Sequence, residues 1–432
     1  MSKKYGYKLL VRLLVISALA SAYSSVWAAG FQLQEQNVTN LGTAYAGTAS
    51  LAEDASTGFY NAAGLSRLCE EQIAVAGVYL APRFRTNVTS ATSTFSDTNI
   101  GQGSTVSSGG ALIPGVHYFR RLNDCLTFGL NLVSPFGLKT NYNTNSIVRY
   151  TSTRAELRTF DISPSLAYSF GNGFSIGAGP DFVWVQTRLD SALGVGNPTT
   201  DGYFVNTLSR WAFGGHVGVL WEISDCTRIG ANYRSQLKVR AQGTNDEAFL
   251  PLVPPLNQTV LSTFTLPDTA VISAHHQLTE CWAVMADVQW THWKIFNLVK
   301  LDLGSNNTIS TALNFKDAWR FALGSSYQFD DCWLFRIGAA YDQSPVRNAY
   351  RTVQVPDSDR WWAAIGGRYC LNSICKGLAI DFGYAHVFFK NATISQGPPT
   401  GTGGLAGFAQ SVNGRTRTRA DLFGIQLTWD LV

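Results

Sequence analysis

Apolar and polar residues alternate through several long segments of this chain, and this pattern most constrains what the chain can fold into. In residues 317–329 (DAWRFALGSSYQF), Trp319 and Phe321 share one parity, whereas Arg320 lies on the other. The same alternation occurs in three further segments: 333–342, 377–389 and 421–432. Because side chains alternate between the two faces of a strand, each segment predicts a strand with a large aromatic face and a polar or glycine face. Repeated strands of this kind favour a transmembrane β-barrel, with lipid outside and a polar lumen inside.

The first 28 residues have the pattern of a secretory signal peptide. Lys3, Lys4, Lys8 and Arg12 precede a short apolar stretch, and small residues stand at a cleavage position after Ala28. The apolar stretch is shorter than the roughly 20 residues that a membrane anchor needs. The segment holds four of the 33 basic residues and none of the 29 acidic ones, so 29 of each remain. The mature chain is therefore neutral, and no basic run indicates nucleic acid as a partner.

Composition and turn spacing lead to a strand count. Charged residues are only 14% of the chain, aromatic residues are 12%, and no later segment approaches the length of an apolar transmembrane helix. Short turns are predicted near 123–125, 171–173, 224–226, 279–281, 330–332 and 371–376. Between them lie longer segments rich in Ser, Thr, Asn, Gly and Pro: 88–110, 190–207, 243–263, 343–358 and 391–416. Six short periplasmic turns and two free ends predict an all-β, 14-stranded antiparallel barrel.

The segment before the first strand fits neither pattern. Residues 29–70 show neither strand alternation nor a helical stripe, and they are rich in Gly and Ala. We interpret them as an N-terminal hatch that plugs the lumen of a barrel formed by residues 71–432. A flexible tail is the alternative, although residues such as Phe31 and Leu33 make the segment more apolar than disordered tails usually are.

Several segments together resemble the FadL family of outer-membrane transporters for long-chain fatty acids and other hydrophobic compounds. They include SPFGLKTNY, FKDAWR and VPDSDRWW, and they lie in order at 29–65, 134–142, 148–168, 228–243, 266–296, 315–346 and 355–369. The resemblance implies a 14-stranded barrel plugged by a hatch, in a Gram-negative outer membrane. It also implies a lipophilic ligand, typically a long-chain fatty acid, and contact with outer-membrane lipid.

The resemblance further implies a lateral exit for the ligand through a kink in the third strand. In this chain the strand reads CLTFGLNLVSPFGL, and we expect the kink at Ser134, Pro135, Phe136 and Gly137. Proline cannot donate to a strand ladder, and glycine weakens pairing, so both favour an interruption. The alternative is that these residues simply form the extracellular end of the strand.

Three basic residues are candidate partners for the carboxylate of a fatty acid. The resemblance points to Arg149 and Lys316, and Arg320 shares the parity of Lys316. A carboxylate in an apolar cavity needs such a partner, because burying it unpaired is very costly. Each could instead be an ordinary lumen or loop charge that is paired with a nearby acid.

Ligand capture is assigned to an apolar extracellular loop. Residues expected to bind there are Phe249, Leu250, Leu252, Val253 and Leu256. Clustered apolar residues on a surface indicate a binding role. These side chains could also fold back and cap the core of the barrel.

The hatch departs from the family pattern at one place. The family usually carries Asn-Pro-Ala where this chain reads Asn61, Ala62 and Ala63. The asparagine stays available for hydrogen bonding, but the loss of proline frees the local backbone. A rigid contact between the hatch and the kinked strand is therefore less assured in this chain.

Seven cysteines in an exported chain indicate oxidation, and an odd number leaves one unpaired. Cys370 and Cys375 flank one turn and are the predicted internal disulfide. We expect the others around the periplasmic rim, free or bonded to another envelope protein: Cys69, Cys125, Cys226, Cys281 and Cys332. Neighbouring turns lie about 9–10 Å apart, so a disulfide cannot easily join them unless the turns lean together.

An enzyme and an open porin are the alternatives to a transporter. Residues 173–177 match G-x-S-x-G, but this pattern requires a strand-to-helix turn, whereas here it leads into another strand. No serine is singled out as a partner for His275, His276 or His292, and we expect no catalysis, no cofactor and no metal. The second interpretation is a structural, adhesive or porin-type outer-membrane protein that is cross-linked through its periplasmic cysteines.

Overall fold

Fourteen antiparallel strands close into a barrel in the computed structural model of this protein. The structure describes residues 30–93, 99–193, 201–249, 253–304, 307–402 and 410–431. The signal peptide that the sequence predicts lies outside the described residues. No helix in the described ranges is long and apolar enough to cross a membrane.

Several of the strands consist of two segments. The strands are β1 (Glu71–Ser93), β2 (Asn99–Ser108 and Ala111–Arg121), β3 (Leu126–Val133 and Gly137–Asn141), β4 (Arg154–Ser169), β5 (Phe174–Leu193), β6 (Gly202–Ser224), β7 (Thr227–Arg234 and Leu237–Phe249), β8 (Val253–Leu266 and Thr269–Gln277), β9 (Trp282–Thr291 and Leu298–Asp302), β10 (Thr308–Ala312 and Ala318–Gln328), β11 (Trp333–Asp342), β12 (Arg360–Cys370), β13 (Leu378–Phe389 and Ala392–Gln396) and β14 (Gln410–Asp430). A short segment, Thr400–Thr402, pairs with Thr308–Ala312 outside this series.

Each strand pairs with the next, and β1 closes the barrel by pairing with β14 from Gln72 opposite Asp430 to Ser93 opposite Gln410. The short connections between β2 and β3, β4 and β5, β6 and β7, β8 and β9, β10 and β11, and β12 and β13 all lie at one rim. The predicted count of 14 strands is therefore confirmed. At the opposite rim, residues 142–153 and 343–359 form long connections, whereas most of residues 88–110 and 243–263, predicted as loops, extend the strands instead.

The two faces of the wall follow the predicted alternation. On β10, Phe321 and Leu323 are 45% and 69% exposed, whereas Arg320 and Ala322 are each 3% exposed. On β11, Ile337 is exposed and Arg336 is buried. Apolar side chains therefore point outward, and charged side chains point into the lumen, as in outer-membrane barrels.

Residues 30–68 form short helical turns and loops, and nearly all of their side chains are buried. The helical turns are Leu41–Thr43, Thr57–Tyr60 and Ala62–Arg67, and two more occur in loops at Trp293–Ile295 and Asn348–Tyr350. The backbone N–H of Val38 donates to Gln426 Oε1 on β14 (3.0 Å). That of Ala49 donates to Ser273 Oγ on β8 (2.9 Å). The segment thus contacts the inward faces of strands on different sides of the barrel.

An ion network joins this N-terminal segment to the barrel. Asp381 on β13 pairs with Arg336 (2.8 Å) and Arg368 (2.9 Å), from β11 and β12. Both arginines also pair with Glu53, and Arg368 reaches Asp54 (3.3 Å). Buried charges are costly unless they are paired and hydrogen-bonded, and this network supplies both conditions.

Glycines on the inward face make room for the N-terminal segment. A Cβ added at Gly338 would lie 2.1 Å from the backbone C and O of Thr43. One added at Gly230 would lie 1.8 Å from the backbone O of Ala49. The N-terminal backbone therefore approaches the wall to a distance that only glycine permits.

We predict that Gly338→Ala destabilises the contact between the N-terminal segment and the wall. Overpacking of this kind typically costs about 1–3 kcal/mol. The temperature at which the purified barrel unfolds in detergent, followed by gel mobility, should fall. Gly397→Ala is the control because its added Cβ would meet no atom within 4 Å. Equal unfolding temperatures for the two variants would contradict the prediction.

Candidate functional site

The wall of the barrel is interrupted between β2 and β3. Their ladder ends at Val116 opposite Leu132, and residues 134–136 separate the two segments of β3. The second segment of β3 pairs only with β4 among the described residues. Near the extracellular end, Asn141 N donates to Ser107 Oγ (2.9 Å), which bounds the gap from above.

The N-terminal segment supplies the hydrogen bonds that β2 does not. Leu33 N donates to Pro135 O (2.8 Å), and Gly137 N donates to Phe31 O (2.8 Å). The Gln36 side chain bonds both the backbone N (2.9 Å) and the backbone O (2.8 Å) of Ser134. A buried backbone group without a partner is costly, so these bonds stabilise the interruption at residues 134–136.

An aromatic cluster lies directly above this contact. The ring of Phe31 packs against Trp293 (centroids 4.5 Å apart) and Phe296 (5.0 Å). Phe136 and Phe315 complete the cluster, each 6.4 Å from Phe31. Trp293 and Phe296 lie between the two segments of β9, and Phe315 lies between the two segments of β10. The cluster therefore joins these two strands, the N-terminal segment and β3.

An apolar cavity lies on one side of the aromatic cluster. Its apolar lining residues are Phe31, Leu138, Ala155, Leu157, Leu189, Phe264, Phe296, Val299, Leu301, Leu313 and Val355. A more polar cavity adjoins it and shares Leu189, Leu301, Thr311 and Gln354 with it. Together they form a continuous concave site of the kind that binds hydrophobic ligands.

A third cavity lies beside the interruption in β3. It is lined by Pro135, Phe136, Gln32 and Leu33, and also by charged residues. Arg234 Nη1 pairs there with Asp161 (3.0 Å) and with Asp181 (2.6 Å). The cavity is therefore more polar than the one lined by Phe264 and Leu301.

A buried hydrogen-bond chain extends from this charged group. His216 Nδ1 lies 2.8 Å from Asp181 Oδ1, and His216 Nε2 lies 2.8 Å from Ser165 Oγ. Arg234 also donates to the backbone O of Phe59 (3.2 Å). The chain thus connects strands β4, β5, β6 and β7 with the N-terminal segment.

The three basic residues that the sequence singled out do not line the apolar cavity. Arg149 is buried and donates to Asp201 Oδ2 (2.8 Å) and to the Tyr150 hydroxyl (2.7 Å). Arg320 is buried and donates to the backbone oxygens of Ala44 and Tyr45. Lys316 is exposed. A carboxylate-binding role for these residues stays a prediction.

Arg154 is a further basic residue close to the apolar cavity. It lines the polar cavity that adjoins the apolar one. Arg154 and Arg158 both pair with Glu156, at 2.5 and 2.6 Å, so two cations share one carboxylate there. No motif in the sequence distinguishes this arginine, because its position depends on how β3, β4 and β5 meet.

Other predicted site residues have definite positions or lie outside the described residues. Asn61 Nδ2 donates to Ala49 O (2.6 Å) and to Val219 O on β6 (2.9 Å), and Ala62 and Ala63 are buried beside it. In the predicted capture loop, residues 250–252 are not described, and neither are the side chains of the three remaining residues. The capture role therefore stays a prediction.

The cysteines lie at or near the periplasmic rim. All seven are free thiols in the structure, including Cys370 and Cys375. The predicted disulfide and the predicted links to an envelope protein remain untested. In the part of the chain that is described, no group of three or more His, Cys, Asp and Glu residues could hold a metal ion.

Comparisons with known proteins identify the family. A family model described as "Outer membrane protein transport protein (OMPP1/FadL/TodX)" matches residues 19–431, so the chain belongs to this family. The long-chain fatty acid transport protein of Salmonella typhi is 28% identical over 88% of this chain and 92% of its own length. Outer membrane protein P1 of Haemophilus influenzae is 27% identical over 99% of each chain.

Solved structures agree on the fold. A Pseudomonas aeruginosa FadL homologue has a TM-score of 0.83 at 21% identity and covers 94% of this chain and 100% of its own. The Pseudomonas putida toluene transporter TodX has a TM-score of 0.68 at 17% identity, covering 93% and 100%. Membership of the family, shown by the family model, makes this protein an outer-membrane transport protein of a Gram-negative bacterium and not an enzyme.

Glu35 is a buried acid of the N-terminal segment, next in sequence to Gln34, which lines the cavity beside Pro135. Among the described residues, neither of its carboxylate oxygens has a hydrogen-bond partner. Burial raises its pKa from 4.5 to about 7, although the residue's own backbone N–H and then the positive charges of Arg360 and Arg320 oppose this shift. Asp342 adds a small repulsion. The neutral form of Glu35 is thus favoured inside the barrel.

We predict that Glu35 makes the folded protein less stable as pH rises. Its folded pKa lies above the unfolded value, so its stabilising contribution is present below about pH 4.5 and is lost as pH rises through about 7. The loss is at most about 3 kcal/mol. In the unmodified protein, the unfolding temperature in detergent should be higher at about pH 5 than at about pH 8. In Glu35→Gln, the difference between these two temperatures should be smaller.

Glu280→Gln is the matched control, since Glu280 lies in an exposed turn. It should keep the pH dependence of the unmodified protein. An unchanged pH dependence in Glu35→Gln would show that Glu35 does not cause it.

Proposed function

We propose that this protein transports long-chain fatty acids or similar hydrophobic compounds across the outer membrane. The observation that carries the proposal is the apolar cavity inside the barrel, bounded by Phe31 of the N-terminal segment. Binding there would bury apolar surface of the ligand, and each Å² removed from water would contribute roughly 25 cal/mol of favourable free energy. A relative named as a long-chain fatty acid transport protein supports this substrate class.

In our proposal, residues 29–70 act as a hatch that blocks straight passage through the lumen. The burial of residues 30–68 and their bonds to strands on different sides of the barrel support this role. A ligand in the apolar cavity then has no straight path to the periplasm. Its exit must be lateral unless the hatch moves.

We propose that the exit is the gap between β2 and β3. The ligand would pass from the polar cavity to the apolar cavity, then past the aromatic cluster to the cavity beside Pro135 and Phe136. This last cavity adjoins the interruption, where no β2 partner closes the wall. The backbone at the gap is hydrogen-bonded to Phe31 and Leu33. A ligand that moves the N-terminal segment would therefore also alter the gap.

For a fatty acid, we propose that the carboxylate binds near Arg154. Arg154 adjoins the apolar cavity, and Glu156 keeps Arg158 as a partner if Arg154 turns towards a ligand. A carboxylate forms strong charge-assisted bonds with a guanidinium group. The sequence-based candidates Arg149, Lys316 and Arg320 compete with this assignment and are tested beside it.

A porin-type or structural role is the second candidate. An open porin would conduct ions and admit small polar solutes, whereas a plugged transporter would do little of either. The buried N-terminal segment favours the transporter. Low single-channel conductance of the purified protein in a planar bilayer would support it, and a large steady conductance would favour the porin.

We predict that the purified mature protein binds oleate in detergent at the apolar cavity. Leu313→Ala should weaken binding by roughly tenfold, because it removes apolar contact from the cavity wall. Leu323→Ala is the control, since Leu323 faces outward and is 69% exposed. Saturable binding that is equally strong in both variants would remove the apolar cavity as the site. Binding of toluene but not oleate would assign the protein to aromatic compounds.

The same assay locates the carboxylate partner by comparing oleate with oleyl alcohol. We expect Arg154→Gln to lose affinity for oleate and to keep affinity for the alcohol. A selective loss in Arg149→Gln or Lys316→Gln would instead support the sequence-based assignment. Arg320 is less suited to this test because it holds the N-terminal segment.

We predict that filling the gap blocks transport without blocking binding. Ser134→Trp adds a large side chain at the interruption and leaves its two backbone bonds to Gln36 available. Uptake of labelled oleate by cells should fall by about tenfold, which corresponds to a barrier of about 1.4 kcal/mol. Oleate affinity of the purified variant should not change.

The control is Leu132→Trp, which lies where β3 is still paired with β2. Normal uptake in Ser134→Trp, at an equal amount of folded protein in the outer membrane, would exclude this gap as the exit.

A further inference from the structure

Four cysteines occupy equivalent positions at the periplasmic rim. Each follows a short turn, and its carbonyl accepts a hydrogen bond from the backbone N–H of the residue opposite it on the adjoining strand. The pairs are Ser169 with Cys125, Gln277 with Cys226, Gln328 with Cys281, and Cys370 with Cys332, at 2.8, 2.8, 2.8 and 3.0 Å. The strand register therefore determines which residue faces each cysteine.

Only in the last of these four pairs is the facing residue another cysteine. Trp333 on β11 is paired with Tyr369 on β12, so Cys332 and Cys370 are the next opposed residues. Directly opposed residues in an antiparallel pair have Cα atoms about 4.5–5.5 Å apart. This separation lies within the roughly 4.4–6.8 Å that a disulfide spans.

The two thiols also lie on the same face of the wall. Side chains alternate along a strand, so Cys332 has the parity of Arg336, and Cys370 has the parity of Arg368. Both arginines point into the lumen, where they pair with Asp381. The Cys332 thiol is also one of the groups that act electrostatically on the Cys370 thiol. Both cysteines are half-buried.

Cys375 is the competing partner for Cys370. It lies on the turn after β12, where its backbone N–H donates to Leu371 O (3.0 Å) and its sulfur lies 3.8 Å from Lys376 O. No ladder holds Cys375 opposite Cys370, whereas the ladder of β11 and β12 holds Cys332 there. We propose that Cys332 and Cys370 form a cross-strand disulfide in the mature protein, which leaves Cys375 as a thiol.

The reaction requires an oxidant of a class that the periplasm contains. Formation of the bond removes two protons and two electrons from the two thiols. A periplasmic thiol oxidoreductase in its disulfide form accepts them and becomes a dithiol. Short turns of outer-membrane barrels face the periplasm, so both thiols are on the side where such a protein acts.

The disulfide would reinforce the base of the network that holds the hatch. Cys332 lies four residues before Arg336, and Cys370 lies two residues after Arg368, at the periplasmic ends of the same two strands. Those arginines pair with Glu53 of the N-terminal segment and with Asp381. A covalent link there restricts separation of β11 and β12 beneath that network.

Tryptic peptides distinguish a disulfide between Cys332 and Cys370 from one between Cys370 and Cys375. Trypsin cleaves after Arg320, Arg336, Arg368 and Lys376. Cys332 then lies in peptide 321–336, whereas Cys370 and Cys375 share peptide 369–376. Intact cells are first treated with N-ethylmaleimide, and outer membranes are digested without reductant for mass spectrometry. We expect peptide 321–336 to be linked by a disulfide to peptide 369–376, with one maleimide on Cys375. Reduction should break this link.

Three variants identify the bonded thiol. Cys375→Ser should retain the linked peptides, and so should the control Cys281→Ser, because Cys281 faces Gln328. Cys370→Ser should abolish them. The proposal is overturned if 369–376 carries an internal disulfide or two maleimides, or if the link survives in Cys370→Ser.

Discussion

The structure depends on one constraint: in a membrane, every backbone N–H and C=O group needs a partner within the protein. Closure of β1 on β14 satisfies the ladder around the barrel. At the interruption in β3 the ladder between β2 and β3 fails, and there the N-terminal segment replaces β2 by bonding Pro135, Gly137 and Ser134. The gap in the wall and the segment in the lumen are thus parts of one hydrogen-bonded arrangement.

The inner face of the barrel is adapted to that segment in two ways. Glycines such as Gly230 and Gly338 allow backbone to approach backbone, and buried arginines neutralise the acids that the segment carries. Arg336 and Arg368 pair with Glu53 of the segment, whereas the cavity beyond Phe31 is lined mainly by apolar side chains, with the charged Glu156 also in its wall. This separation allows a hydrophobic ligand to bind in a barrel whose lumen is otherwise polar.

Much of the fold could be predicted from the sequence, but less of the site. Alternation along a strand is local, so the faces of β10 and β11 were predictable from their residues alone. Partners across the lumen are not local: Arg149 pairs with Asp201, and Arg320 bonds to the backbone of Ala44 and Tyr45. The position of Arg154 beside the apolar cavity depends equally on strand register, which sequence spacing does not specify.

The sequence by itself determined the class of fold and the 14 strands, whereas it left open whether residues 134–137 interrupt the third strand or form its extracellular end. Period-two hydrophobicity, turn chemistry and the missing N–H of Pro135 are local properties, and they act wherever the chain lies. Only the tertiary structure decided that Phe31 to Gln36 occupies the break, that Arg154 adjoins the apolar cavity and that Cys332 faces Cys370. These contacts join residues distant in sequence, and they arise from closure of the barrel and the register between its strands.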